Sequence, residues 1–327
     1  MSLAGALSPK NFQVFIKTES TAGTSVLATT GMDALDVDSV GFPSLNTTIV
    51  TEVRTSAVSL FQSADFFSEN TQRVTEISLS GVLKNDDGHK VLLSNITNNT
   101  GTPYAVPSAT YSGYSGLYGT TSSANNKTFT LAIKSADHTD GDSIVMSGCV
   151  CTNFTFSADS GTEGGRYKWS ATVQSGKKPV VNEHGTLAGA DAYGSTDISL
   201  PNATVKKIND TTIVMQSFSV AIDSAAVFSG VSTTGYETVS RGQELAVTAD
   251  ATVKYDSTNR GWVDTYDSGV LMTTNSFLLT NGTDYSTTIK NAVFTDVSWN
   301  EGDTMMLNAS LKATASSTDD LISIIVS

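Results

Sequence analysis

The sequence predicts a mainly-β protein of two tandem, similar β-sandwich or open-barrel domains, each with a long β-hairpin and one short flanking helix. Three observations carry this. In Gly148–Val173, Val150, Thr152, Phe154 and Phe156 lead in and Tyr167, Trp169, Ala171 and Val173 lead out at a period of two. Between them Ala158–Gly165 is a tip of turn formers. A shorter version recurs at Ala292–Leu311. Thr152–Phe156 aligns with Thr295–Trp299 (295 − 152 = 143) and Ser170–Val173 with Asn308–Leu311 (308 − 170 = 138). The later tip is therefore 143 − 138 = 5 residues shorter. Composition is the third observation: charged residues are only 16%, so Ser, Thr, Asn and Gly must supply most polar surface, which suits strands and turns.

Residues 1–34 read as an N-terminal arm and first strand, the strand being Phe12–Lys17, with a loop at Thr18–Thr30. Residues 35–176 read as copy one. There Thr47–Val53 and Ser56–Phe61 are strand-like. Arg73–Lys84 is a strand with Thr75, Ile77, Leu79, Gly81 and Leu83 on one face and the wetter set Val74, Glu76, Ser78, Ser80 and Val82 on the other. Asn85–Asp87 caps a helix through Asn95 with Val91, Leu92 and Ile96 as its buried stripe, and Gly88 counts against it. Residues 97–126 are a polar insertion carrying Tyr104, Tyr111, Tyr114 and Tyr118, a composition suited to a contact surface. Lys127–Lys134 is a strand leading into the hairpin.

Residues 177–201 connect the copies, and the pattern restarts in residues 202–315. Thr47–Val50 recurs as Thr211–Val214 (211 − 47 = 164). The face Thr75/Ile77/Leu79/Gly81/Leu83 recurs as Leu245/Val247/Ala249/Ala251/Val253, and Lys84 as Lys254 (254 − 84 = 170). Val91-Leu92 answers to Trp262-Val263 after an Asp-rich turn. The fall in offset from 170 to 143 marks 97–126 as an insertion in copy one alone. In the tail, residues 316–327, Thr318–Asp320 caps a short helix before an apolar end. That end either returns to its own core or, the favoured reading, docks on a neighbour.

A length of 327 residues suits two ordinary domains. The net charge of −13 argues against tight nucleic-acid binding, which needs phosphate neutralisation. An acidic surface can line a passage to which DNA must not stick, or simply keep a protein soluble. The N-terminus lacks the basic and apolar regions of a signal peptide, and no window reaches transmembrane length. Cys149 and Cys151 are too close along one strand to bridge each other.

No catalytic constellation emerges. His89, His138 and His184 read as surface histidines, and the cysteines as small buried strand residues without a neighbouring base. Asp137, Asp140 and Asp142 miss the calcium-loop pattern, because Thr139 and Gly141 stand where oxygen ligands are required. Trp169 and Trp299, in the two hairpins, suit packing better than sugar binding. The expectation is a non-enzymatic protein with no cofactor and no metal.

The strands Thr47–Phe61, the strand Arg73–Lys84 with its Asp-rich turn and helix, and the hairpin FTFSADSGTEGGRYKWSATV resemble the major tail (tail tube) proteins of long-tailed phages, in duplicated form. The resemblance spans about residues 35–176 and 197–315 and rests on architecture, without a short diagnostic motif. It implies homotrimeric, pseudo-hexameric rings stacked into a virion tail tube and made in the host cytoplasm. It also implies partners: the tape-measure protein, the tail terminator, baseplate or tail-tip proteins, and genomic DNA passing through without tight binding, with no membrane. Candidate assembly residues are Asp159, Glu163 and Arg166 at the hairpin tip, Tyr111 and Tyr114 in the insertion, and Leu321, Ile322 and Ile324 in the tail. A capsid decoration protein and a β-sandwich carbohydrate-binding or adhesin module are the alternatives.

Overall fold

The computed structural model describes residues 12–27, 31–49, 70–99, 103–106, 115–117, 128–135, 143–181, 198–232, 235–241, 245–302, 304–316 and 319–326. In chain order the first elements are β1 (Phe12–Thr18), β2 (Asp33–Leu35), β3 (Ser39–Val40), β4 (Ser44–Ile49), β5 (Asn70–Val82) and helix α1 (Asp87–Thr97). Next come β6 (Tyr104–Val106), β7 (Ser115–Leu117), β8 (Phe129–Ser135), β9 (Ser143–Asp159), β10 (Lys168–Ser175) and β11 (Val180–Val181). The second half holds β12 (Val205–Ile208), β13 (Thr211–Thr212), β14 (Met215–Asp223), β15 (Val227–Ser232), β16 (Gly235–Ser240), β17 (Ala246–Lys254) and helix α2 (Trp262–Asp267). It ends with β18 (Phe277–Asn281), β19 (Tyr285–Ile289), β20 (Ala292–Asn300), β21 (Met306–Ala313) and β22 (Ile322–Val326).

The mainly-β class holds, and the strands among the described residues fall into sheets of 13, 6 and 3. Both halves contribute to the largest sheet. Through its middle the order is β4-β5-β10-β9-β14-β17-β21-β20, every neighbouring pair antiparallel. Each long hairpin pairs with the strand that carries the repeated face, β10 with β5 and β21 with β17. Both hairpins also carry a β-bulge at the same place. Thr152 is the extra residue between the pairs Val173↔Cys151 and Thr172↔Asn153, and Thr295 between Leu311↔Phe294 and Ser310↔Asp296. The bulges fix the hairpin offsets of 143 and 138 independently of sequence resemblance.

The bulge also splits one expected face. Phe154 and Phe156 lie in the main core with Cys149 and Cys151, whereas Val150 packs with Val239 in a separate cluster. An extra residue turns the side chains before it to the other side.

Two expected correspondences shift, and the tail changes its secondary structure. Val173 pairs with Ile77 and Leu311 with Ala249, so Ile77 matches Ala249 at an offset of 249 − 77 = 172, two residues from the reading above. A period of two cannot distinguish registers two apart. Thr211–Thr212 does not answer to Thr47. It pairs with β12 in the six-stranded sheet, and the strand flanking β17 is β14. The tail forms the strand β22 between β19 and β6 instead of a helix, because alternate residues Ile322, Ile324 and Val326 bury on one face.

The six-stranded sheet, β13-β12-β18-β19-β22-β6, supplies much of a second layer. Between the layers Tyr167 meets Phe218 and Tyr285 at centroid distances of 5.0 and 5.3 Å, and Phe156 meets Tyr285 at 5.8 Å. These are edge-to-face contacts within the favourable range. Helix α1 starts where the sequence places it: the Asp86 carboxylate accepts from the His89 amide at 2.7 Å. Leu92, Leu93 and Ile96 are buried and Val91 half-buried. Gly88 is there for fit, since a Cβ would stand 2.7 Å from the Ala34 carbonyl oxygen. In the second half α2 packs on β20 through Trp262, 5.6 Å from the Phe294 ring.

Candidate assembly surface

Away from the core, the eight-strand run shows a wet face. Alternation puts Glu76, Ser78 and Ser80 of β5 there, with Ser170, Thr172 and Gln174 of β10 and Asn153, Thr155 and Ser157 of β9. The second half continues it with Ser217 and Ser219 of β14, Asp250 and Thr252 of β17, Asn308 and Ser310 of β21, and Asp296 and Ser298 of β20. Short polar side chains bond across strands and hold one another flat. Gln174 Nε2 donates to Glu76 at 2.7 Å, Thr252 Oγ1 to Asn308 Oδ1 at 3.0 Å and Asn153 Nδ2 to Asp223 Oδ1 at 2.5 Å. A shallow depression of about 460 Å³ lies on this face, lined by polar groups such as Ser217, Ser219, Asp250, Thr252 and Asn300 together with Phe218, Ala251 and Ala309. The carboxylates of Glu76, Asp159, Asp223, Asp250 and Asp296 outnumber the ammonium groups of Lys168, Lys254 and Lys312 here.

The run has two outer edges. At one, β4 and β3 pair only with β5 among the described residues, and Phe42 between them is 46% exposed. At the other, β20 is bridged at Ala292 by Met272, and Asp296, Trp299 and Asn300 are exposed beyond that point. Trp299 is 51% exposed and Met305 49%. Phe42 and Trp299 thus leave large apolar surface at opposite ends of one sheet.

Of the predicted assembly residues, Asp159, Glu163 and Arg166 come together at the tip of the β9–β10 hairpin, all exposed. Asp159 accepts from the Gly161 amide at 2.8 Å and closes the turn. Glu163 pairs with Lys168 at 2.8 Å, and Asp38 reaches the same ammonium at 2.8 Å. Asp38, then Glu163, hold Lys168 above its ordinary pKa. The tip docks on its own chain: the Leu200 amide donates to the Gly165 carbonyl, and the Ser160 amide to Gln216. Leu321, Ile322 and Ile324 are corrected outright. They are at most 9% exposed within their own chain, so the tail returns to its core. Tyr111 and Tyr114 lie outside the described residues. Tyr104, expected on a contact surface, is buried at 5% exposure.

His89 is also corrected, being fully buried at an edge-to-face distance of 4.9 Å from Trp169. His138, His184, Asp137, Asp140 and Asp142 lie outside the described residues. Cys149 and Cys151 are free and buried. Burial pushes the Cys151 thiol up to about 12, against the pull of Arg241. Among the described residues no group of three or more His, Cys, Asp or Glu is placed to hold a metal ion.

Two buried polar nodes escaped sequence reading. Glu19 accepts from the Gly23 and Gly148 amides at 2.6 and 2.8 Å and from the hydroxyls of Thr128 and Thr130. Burial raises its pKa, and the four donors lower it in part. Arg241 donates to the carbonyls of Ser224 and Cys151 and to the Asn95 side chain at 2.6–2.9 Å, tying β16 to α1 and β9. Neither residue sits in a motif, and their partners are up to 146 positions distant.

A scan of protein-family models found no match, and a search of curated proteins found no relative.

Proposed function

We propose that this chain is a structural virion protein that assembles into stacked rings forming a phage tail tube, with the wet sheet face turned toward the bore. One observation carries the reading. The strand order β4-β5-β10-β9 recurs as β14-β17-β21-β20, and the β9–β14 pairing joins the two sets within one chain. The chain thus contains a head-to-tail contact between two similar units, and such a contact generates a ring when its rotation closes.

The dimensions support the bore. Three chains of eight strands give 3 × 8 = 24 strands. At about 4.8 Å per strand the wall is about 37 Å across at the backbone, before tilt widens it. Lining side chains take about 10 Å, which leaves room for a double helix. Hydroxyls, amides and an excess of carboxylates give DNA no cationic grip.

Negative-stain microscopy at rising protein concentration tests this. Rings or tubes are expected. A species that stays monomeric at every concentration, alone and with phage tail partners, refutes it.

A further inference from the structure

The internal junction specifies how one copy meets the next. We infer that the β20 edge of one chain pairs antiparallel with the β3–β4 edge of a second copy, in the register of β9 with β14. The inference rests on the ring-assembly reading and adds the residues that make the contact.

The register follows from pairings already in the chain. The shared bulge places Asn153, Phe154, Thr155 and Phe156 of β9 in the positions of Asp296, Val297, Ser298 and Trp299 of β20. On the other side, Glu76, Thr75 and Val74 match Thr248, Val247 and Ala246. The former pair with Ser44, Leu45 and Asn46, and the latter with Ala221, Ile222 and Asp223. Within the chain Asn153 faces Asp223, Phe154 faces Ile222 and Thr155 faces Ala221. Between chains Asp296 then faces Asn46, Val297 faces Leu45 and Ser298 faces Ser44.

Three details agree with this placement. The internal junction sets an Asn opposite an Asp, Asn153 with Asp223, and the same register sets an Asp opposite an Asn, Asp296 with Asn46. The bond from Thr155 Oγ1 to Asn153, at 3.3 Å, has its counterpart from Ser298 Oγ to Asp296, at 3.1 Å. Exposed Trp299 arrives opposite Pro43 and next to Phe42, whose ring packs edge-to-face on Phe12 at 5.2 Å and stays 46% exposed, so Trp299 meets an apolar edge. Pro43 has no N–H and interrupts the ladder between two short paired runs. That makes the aromatic contact the anchor of the edge.

The test uses full-length chains carrying Ser44→Cys with Ser298→Cys, and Asn46→Cys with Ser298→Cys as a pair two residues out of register. The native cysteines are buried and give little background. Mild oxidation of assembled protein should cross-link the first pair into reducible dimers and closed trimers, at least 10-fold more than the second. Rings without cross-linking of the first pair, or equal cross-linking of both, overturn the register and leave ring assembly standing. A native protein that never self-associates removes both. As a second measurement, Trp299→Asp should weaken self-association more than 10-fold with the monomer's far-ultraviolet circular dichroism and unfolding midpoint unchanged. Undiminished self-association would also overturn the inference.

Discussion

Phe156 and Trp299 hold the same position in two hairpins, four residues past the bulges at Thr152 and Thr295, yet Phe156 is 1% exposed and Trp299 51%. The difference lies in what stands alongside. Phe156 is covered by Phe218 of β14 and by Tyr285 of the second layer. No described strand follows β20.

The two residues should therefore respond differently to truncation. Phe156→Ala opens a packed core and should cost about 3–5 kcal/mol. Trp299→Ser should change monomer stability by no more than about 0.5 kcal/mol while weakening self-association. Urea unfolding of the monomer beside sedimentation velocity measures both.

Glu19 should give stability a pH slope of definite sign. Its native pKa lies above the ordinary 4.5, so the native state holds the proton to higher pH than the unfolded chain. Stability from this group is fully present below 4.5 and falls as pH rises through the raised value. Glu19→Gln should remove that part of the slope, seen as the wild-type minus variant difference in denaturation midpoint across pH. It should also cost about 1–3 kcal/mol, because an amide offers fewer acceptors to four donors.

Gly88→Ala tests the docking of α1. A methyl group improves helix propensity by about 1 kcal/mol but meets the Ala34 carbonyl oxygen at 2.7 Å. The clash should win, for a net loss of about 1–2 kcal/mol in thermal or chemical denaturation.

Arg241→Leu should be among the most damaging single changes in the second half. It removes the donor for the Ser224 and Cys151 carbonyls and for Asn95, all within a buried region. A loss of about 3 kcal/mol is expected from the groups left unpaired. Faster amide exchange at the α1–β9 contact would locate it.

The strands and hairpins were legible because alternation of apolar and polar residues is local, as in Thr75 to Leu83, all buried on one face. The cap at Asp86 was legible for the same reason. What was not legible depends on distance along the chain. The tail's partners, β19 and β6, are set by pairing and not by composition, so Ile322 and Ile324 read in favour of a neighbour. Gly88 argued against a helix that in fact requires a residue without a side chain there. His89 looked like a surface residue because nothing local foretells its burial beside Trp169. The internal repeat singled out Trp299 but not its exposure, which depends on β20 having no further strand beside it among the described residues.

The most direct measurement is a cryo-electron-microscopy reconstruction of the protein concentrated until it assembles. Rings of three chains are expected, β20 of each beside β4 of the next, with Ser217, Asp250 and Ser310 facing a continuous bore. Rings that turn this face outward, or a particle that remains a 34.3 kDa monomer throughout, would contradict it.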